Sequence, residues 1–437
     1  MRCAVPISHT VIAGGGLAGL SCARELGSGF TLLEAEPRVG GLARTEVVDG
    51  FSFDFTGHWL HARDQTVRQL VEQRWLRGNI LTVERRALIH SEGAWTEFPY
   101  QHNLHGLPAR TIAECVIGFV QATLGESGRE LRERPLRNAA EFIRRHLGEG
   151  FARHFMDPYN RKLFTVPCED LSPEWGGRFI PRPTLEEVVR GALGIAAGGA
   201  GYNATFWYPR EGGIEALPRG IAKDIAGGEV RLGARIAALD LDARRARLVS
   251  GEDIRYGELV FTLPLSSLAR LLDGPAEVLD AARKLRSVSV TIVEIGADDV
   301  GGKRFHWAYF PEERFRFYRV GSPSEVNPRL APEGTRSFAV EFSHRGPVDP
   351  APLAAHAVEA LHDLGLLDRG RVRLVRARTI PVAYVLFDHD HAAARSYLLA
   401  HLRERGVHAA GRYGSWEYSS MEDAILSGRE AARALRA

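Results

Sequence analysis

The chain has 437 residues, of which 45% are hydrophobic and 25% charged, and a formal net charge of +2. That length predicts about three domains, and the near-balance of charge excludes a nucleic-acid protein, which carries a basic excess on one face. Only Lys162, Lys223, Lys284 and Lys303 are lysines among 56 basic residues, a bias of genome composition to which the planar fork of arginine adds only locally.

Cys3, Cys22, Cys115 and Cys168 show neither metal nor redox spacing and read as reduced thiols. The longest apolar stretch, 112–124, is interrupted by Glu114 and Gln121 and is too short to span a bilayer. No signal peptide is visible before the first strand, so a cytoplasmic protein is expected.

In chain order, Thr10–Ala13 reads as a buried strand, followed by glycines and a helix over Leu17–Leu26. A second strand over 30–34 completes the start of a βαβ unit. Residues 107–200 change to helical periodicity, for example Ala139, Phe142, Ile143 and Leu147. Over 229–342, short β-like runs alternate with turn residues and predict a mostly antiparallel sheet. The stretch 407–437 reads as strand, loop and amphipathic helix. Ser419 with Glu422 fits a capping box at that helix start, with Ser420 and Asp423 a weaker variant. The run from Asp388 to His391 predicts the opening of a solvated helix, and no metal is expected.

Gly14, Gly16 and Gly19 form G-x-G-x-x-G between strand and helix, and Glu34 ends the second strand. The first glycine permits the turn, the second lets backbone approach a pyrophosphate, and the third lets helix and strand pack closely. Glu34 can accept hydrogen bonds from a ribose diol. Together these parts predict a dinucleotide site formed by Gly14, Gly16, Leu17, Ala18, Gly19, Glu34 and Ala35.

Gly40 and Gly41 follow, with Leu42, Arg44 and Thr45. This element resembles the FAD-binding half of the amine oxidase and sugar-mutase flavoproteins, where extra amides and a guanidinium meet the flavin's phosphates. No second G-x-G-x-x-G occurs, so NAD(P)H or another reductant would dock transiently over the flavin.

Further segments narrow the resemblance. They are 57–61 (GHWLH), 95–104 (WTEFPYQHNL), 157–167 (DPYNRKLFTVP), 175–178 (WGGR), 202–213 (YNATFWYPREGG), 307–312 (WAYFPE), 317–319 (FYR) and 411–428 (GRYGSWEYSSMEDAILSG). In order and as a set, they resemble the UDP-galactopyranose mutases. That family isomerises a UDP-sugar between pyranose and furanose with no net redox change. Reduced flavin N5 attacks the anomeric carbon, and UDP leaves and returns.

The resemblance implies roles for particular residues. Arg178 and Arg319 would hold the diphosphate, with hydroxyls from Tyr309, Tyr384 and Tyr418. Phe98, Tyr100 and Gln101 would bind the base. Asn160, Phe164, Asn203 and Trp307 would line the sugar and diphosphate pocket, Phe164 standing where the family has tryptophan. His58, next to Gly57, would lie beside flavin N5, its carbonyl receiving the N5 proton. Gly411, Arg412, Ser420 and Met421 would meet the flavin, the helix near Ser420 aiming its positive end at the N1–O2 edge.

The implied fold class is α/β. A Rossmann-type FAD-binding domain (1–95, 203–265 and 395–437) is joined to an inserted helical domain (96–202) and an antiparallel β-sheet substrate domain (266–394). An oxidase or desaturase of the amine oxidase and protoporphyrinogen oxidase type shares the same flavin elements and remains the alternative, as does a non-catalytic flavin-binding partner.

Overall fold

The computed structural model describes residues 9–195 and 204–436. Its first layer is a parallel sheet in the order Val407–Ala409, Glu258–Phe261, Thr10–Ala13, Phe30–Leu33, Glu229–Arg231. Val11, Ile12 and Ala13 are fully buried, as a strand covered on both faces requires. On one side the helices Leu17–Leu26 and Met421–Ala434 pack backbone to backbone. A Cβ on Gly428 would lie 2.0 Å from the Ala18 carbonyl oxygen.

Two runs expected in an antiparallel sheet, at 229 and 258, are instead parallel strands of this layer. Strand spacing alone does not give direction. Leu259, Val260 and Phe261 are buried on both faces, the mark of the parallel centre. The antiparallel reading holds for the three-stranded sheet Ile236–Asp240, Arg245–Leu248 and Asp253–Arg255 between them, and for the later runs from 287 to 344.

A second, seven-stranded sheet has the order Val372–Val385, Ser287–Asp298, Thr335–His344, Arg319–Gly321, Trp307–Tyr309, Ala87–Ser91, Ala94–Glu97. Neighbours are antiparallel except Trp307–Tyr309 with Ala87–Ser91. Residues 87–97 therefore belong to this sheet, although the expected domain bounds placed them mostly with the nucleotide layer. A two-residue turn with positive φ at Glu92 and Gly93 closes their hairpin, and Leu88 and Trp95 pack into this sheet's own core.

The region between is helical: Ala109–Thr123, Ala139–Phe151, Asp157–Phe164, Pro173–Phe179 and Leu185–Ala192. Among the described residues no helix is long and apolar enough to cross a membrane.

The last helix is capped by the weaker of the two expected boxes. The Asp423 N–H donates to Ser420 Oγ at 3.1 Å, and the Ser420 N–H donates to Asp423 Oδ2 at 2.7 Å. Glu422, expected to pair with Ser419, is 7% exposed and instead accepts from the Arg63 and Asp64 N–H groups at 2.6 and 2.7 Å. A buried carboxylate takes the two amides that tertiary packing brings to it. Asp388, expected in a solvated turn, is buried. It accepts from the Arg286 guanidinium at 2.6 Å and from the His391 N–H at 3.0 Å.

Candidate active site

The glycine loop lies at the C-terminal ends of the parallel strands, where ligands of open α/β sheets bind. Gly14 has φ +106°, and a Cβ on Gly19 would sit 1.9 Å from the Gly14 carbonyl oxygen. The Gly40 N–H donates to the Gly15 carbonyl at 2.8 Å, and a Cβ on Gly41 would approach Gly16 Cα at 3.1 Å. The two glycine segments thus make one floor of bare backbone. Leu17 and Ala18 are buried under it, and Ala35 is half-buried at its rim.

Glu34 is 7% exposed and accepts from the Gly15 N–H at 2.7 Å and the Glu36 N–H at 2.9 Å. Arg44 lies over Phe55 with its guanidinium carbon 4.4 Å from the ring centre. Its Nε, the Nε of Arg412 and the Ser419 hydroxyl are buried without a hydrogen-bond partner among the described residues. Buried donors in this state call for an acceptor, and a bare-backbone floor with guanidinium donors suits a diphosphate. These residues fit the expected flavin dinucleotide. Glu34→Ala is expected to weaken FAD binding about 10- to 100-fold, the worth of a hydrogen bond to a charged acceptor. Fluorescence titration of the apoprotein with FAD measures it.

Leu42 packs against Val290, Ile292, Tyr318, Ile380 and Ala383, and so joins this floor to the seven-stranded sheet. Gly411 (φ +75°) approaches Ala18 so closely that a Cβ would meet Ala18 Cβ at 2.7 Å. The helix dipole expected at Ser420 and Met421 is partly spent, because Glu422 and Asp423 stand in its first turn.

The second half of the site comes from one face of the seven-stranded sheet. Cross-strand pairing sets Tyr309 opposite Arg319, and Arg319 opposite Glu341. Glu341 is 2% exposed and accepts from Arg319 Nη2 at 2.8 Å and Nε at 3.1 Å; it also accepts the Tyr318 hydroxyl. Burial opposes the charge on Arg319, but the Glu341 carboxylate outweighs it and holds the guanidinium's pKa well above its ordinary value. Arg319 Nη2 also donates to the Tyr384 hydroxyl at 3.4 Å. Tyr384 stacks on Tyr418 at 6.2 Å, and Arg412 lies 4.6 Å from the Tyr418 ring centre.

Tyr309 packs on Phe98 at 5.0 Å and receives the Trp307 indole N–H on its hydroxyl at 2.9 Å. Burial pushes the Tyr309 phenol up to about 12 and raises that of Tyr384, so both keep their protons and can donate to an anion. Gly57 and His58 approach this group from the loop that follows strand Phe51–Asp54. Burial, with the charges of Arg412 and Arg319, lowers the His58 imidazole to about 4. It is therefore neutral, its Nδ1 3.0 Å from the Thr56 carbonyl, to which it donates.

Three histidines, the half-buried His58 and His146 and the buried His306, are each lowered from 6.5 to about 4, chiefly by loss of solvent. Between those values the unfolded chain binds more protons, so their contribution to stability is complete above 6.5 and lost as pH falls toward 4. Asp54, raised by burial from 3.8 to about 6, works the other way, as does Glu294, but burial lowers His61, His102, His356, His391 and His401 as well. The urea midpoint is expected to drop between pH 7 and 5. A flat or rising midpoint would contradict this assignment.

Four expected substrate contacts are placed elsewhere by the packing. Tyr100 is fully buried and stacks on Phe155 at 4.9 Å in the helical core. Gln101 is 2% exposed, its amide donating to the Pro181 carbonyl at 2.9 Å. Asn160 donates to the Met156 carbonyl at 2.7 Å, one turn back at the start of its helix. Phe164 meets Trp175 edge-on at 5.3 Å. A motif match cannot tell a ring that lines a pocket from one that supports its wall. Asn203 lies outside the described residues, and Arg178 is placed only by its backbone, on the helix Pro173–Phe179.

Sequence reasoning missed Glu341, Tyr318 and Asp54. Glu341 sits opposite Arg319 only through strand register, which no local pattern shows. Asp54 lies three residues before Gly57 and accepts from Thr45, Tyr208 and the Ile214 N–H.

A family model described as flavin containing amine oxidoreductase matches residues 17–436. A crystal structure of reduced UDP-galactopyranose mutase superposes with a TM-score of 0.90 at 26% identity, covering 98% of this chain and 94% of that one. A putative protoporphyrinogen oxidase from Exiguobacterium sp. 255-15 does so at 0.70 and 18% identity, covering 98% of both, a likeness of fold. The curated peroxisomal N(1)-acetyl-spermine/spermidine oxidase of Homo sapiens is 28% identical over 167 residues. That match spans 36% of this chain and 32% of that protein.

Proposed function

The chain belongs to the flavin-containing amine oxidoreductase family, and within it we propose a flavin-dependent nucleotide-sugar pyranose–furanose mutase. The observation that carries this reading is the pocket chemistry opposite His58. Arg319 stands anchored among Tyr309, Tyr384 and Tyr418, a guanidinium and protonated hydroxyls, where an apolar substrate would need hydrocarbon walls. The full-length likeness to a mutase structure supports it.

When bound and reduced, the flavin supplies a nucleophile for the anomeric carbon of the sugar. The rest falls to the chain. Arg319 stabilises the diphosphate as its charge develops on leaving, acting from a fixed position. Tyr309, Tyr384 and Tyr418 donate hydroxyls to the same oxygens, and burial, which raises the pKa values of Tyr309 and Tyr384, keeps those two donors. Because it is neutral, His58 would add no positive charge beside a bound flavin, and its backbone carbonyl would be the proton acceptor there. Arg44 and the glycine floor would hold the cofactor's diphosphate. NAD(P)H or another external reductant would supply the electrons.

Incubating the reduced flavoprotein, without oxygen, with UDP-galactopyranose and a panel of other nucleotide sugars tests the proposal. Furanose products are expected from at least one; none from any, with flavin intact, overturns it. The oxidase reading is favoured by the partial match to an oxidase of acetylated polyamines. Oxygen uptake on adding such amines would support it instead.

A further inference from the structure

The sheet face that carries Arg319 contains a gap. Trp307 pairs with Gly321, and Gly321 with Ala339, so two small residues lie beside the larger row Tyr309, Arg319, Glu341. Strands Phe51–Asp54 and Thr205–Tyr208, with the loop at Gly57, cover this gap without filling it. A cavity of about 20 Å3 remains, with Asp54, Tyr208, Arg319 and Glu341 among its walls. A water needs roughly 10–15 Å3 and two to four polar partners. The volume suffices for one water, and Asp54, Arg319 and Glu341 bring polar groups to a lining that is otherwise mostly carbon.

We propose that this cavity holds one ordered water tying Asp54 to the Arg319–Glu341 pair, which makes Asp54 a positioning residue for Arg319. The role of Arg319 toward a diphosphate rests on the function proposed above. Asp54 Oδ1 accepts from Thr45 Oγ1 at 2.6 Å and from the Ile214 N–H at 3.2 Å, and Oδ2 accepts from the Tyr208 hydroxyl at 2.9 Å. A carboxylate oxygen has two lone pairs, so Oδ2 retains one. The water donates to Asp54 Oδ2 and accepts from the Arg319 guanidinium, whose partner Glu341 already accepts two hydrogen bonds on each oxygen. Asp54 is itself fixed from three directions, so the water passes that rigidity on to the ion pair. The freedom Arg319 would lose on binding an anion is then already lost, which strengthens binding without any new contact.

Gly321→Ala tests this without touching a polar group. Its Cβ would meet Ala339 Cβ and O at 3.8 Å and the His306 carbonyl at 3.9 Å, ordinary contacts. The methyl takes the water's place. Crystal structures of the flavin-loaded parent and Gly321→Ala should show one water bonded to Asp54 in the first and none in the second. UDP titration should show roughly 3- to 10-fold weaker binding for Gly321→Ala and for Asp54→Asn, at unchanged flavin content. The double variant should be no weaker than the weaker single one, because both act through the same water. A dry cavity, an unchanged UDP affinity in Gly321→Ala, or effects that multiply would overturn the proposal. Should Asp54→Asn fail to fold, Gly321→Ala carries the test alone. If the parent binds no UDP, the function proposed above fails, and the density still decides the water.

Discussion

Arg319→Ala is expected to abolish turnover while the flavin stays bound. Removing a preorganised cationic donor from the point where charge develops costs about 10²- to 10³-fold in rate. The side chain contacts the sheet and the tyrosines rather than the glycine floor, so flavin absorbance should not change. The same substitution strands Glu341, which is 2% exposed, as a buried charge without its counter-ion. Breaking one half of a buried pair costs about 3–5 kcal/mol, so the melting temperature should fall as well. Adding Glu341→Gln removes the stranded charge and should restore much of the stability but none of the turnover. That double variant separates a chemical role from a structural one. Arg319→Lys keeps the charge but loses the planar fork and should recover stability better than rate. Retained furanose formation in Arg319→Ala would count against the mutase reading.

Gly19→Ala should yield protein without flavin. The added Cβ would lie 1.9 Å from the Gly14 carbonyl oxygen and 3.3 Å from the Ile12 side chain. The nearest obstacle is backbone on both sides, so no rotamer relieves it. Helix Leu17–Leu26 must move away from the loop, and the bare floor for the diphosphate opens. Overpacking of this kind costs about 1–3 kcal/mol or more. The helix is also clamped from behind, where Gly428 abuts Ala18, so movement disturbs a second contact. Gly274→Ala is the matched control, since its Cβ would meet only Leu272 Cβ at 3.9 Å. Flavin stoichiometry and thermal melts of the two variants should differ sharply. Full flavin content in Gly19→Ala would refute the steric account.

The two halves of the site were not equally legible. Gly14, Gly16, Gly19 and Glu34 are local: Glu34 stands fifteen positions after Gly19, and the chemistry of a phosphate loop is carried by glycines whose spacing can be read directly. The sheet side is not local. Arg319 is one of 52 arginines, and what distinguishes it is a pairing with Glu341 across two strands, reinforced by Tyr384 from a third. Tyr100 and Tyr309 are equally aromatic in sequence, but one is sealed into the helical core and the other faces Arg319.

By itself, then, the sequence determined the dinucleotide loop, the first βαβ unit and the helical middle of the chain, because local spacing and backbone sterics dictate them, and the family through the resemblance of its motifs. Tertiary structure alone decided strand direction at 229 and 258, which serine caps the last helix, which aromatic residues reach the pocket, and which carboxylate holds Arg319. Those outcomes depend on register and burial between segments far apart in the chain, and no local pattern encodes them. The near-zero net charge with which the chain presents itself is the average of such pairs. The positive field for an anion is made locally, where one buried carboxylate fixes one guanidinium in place.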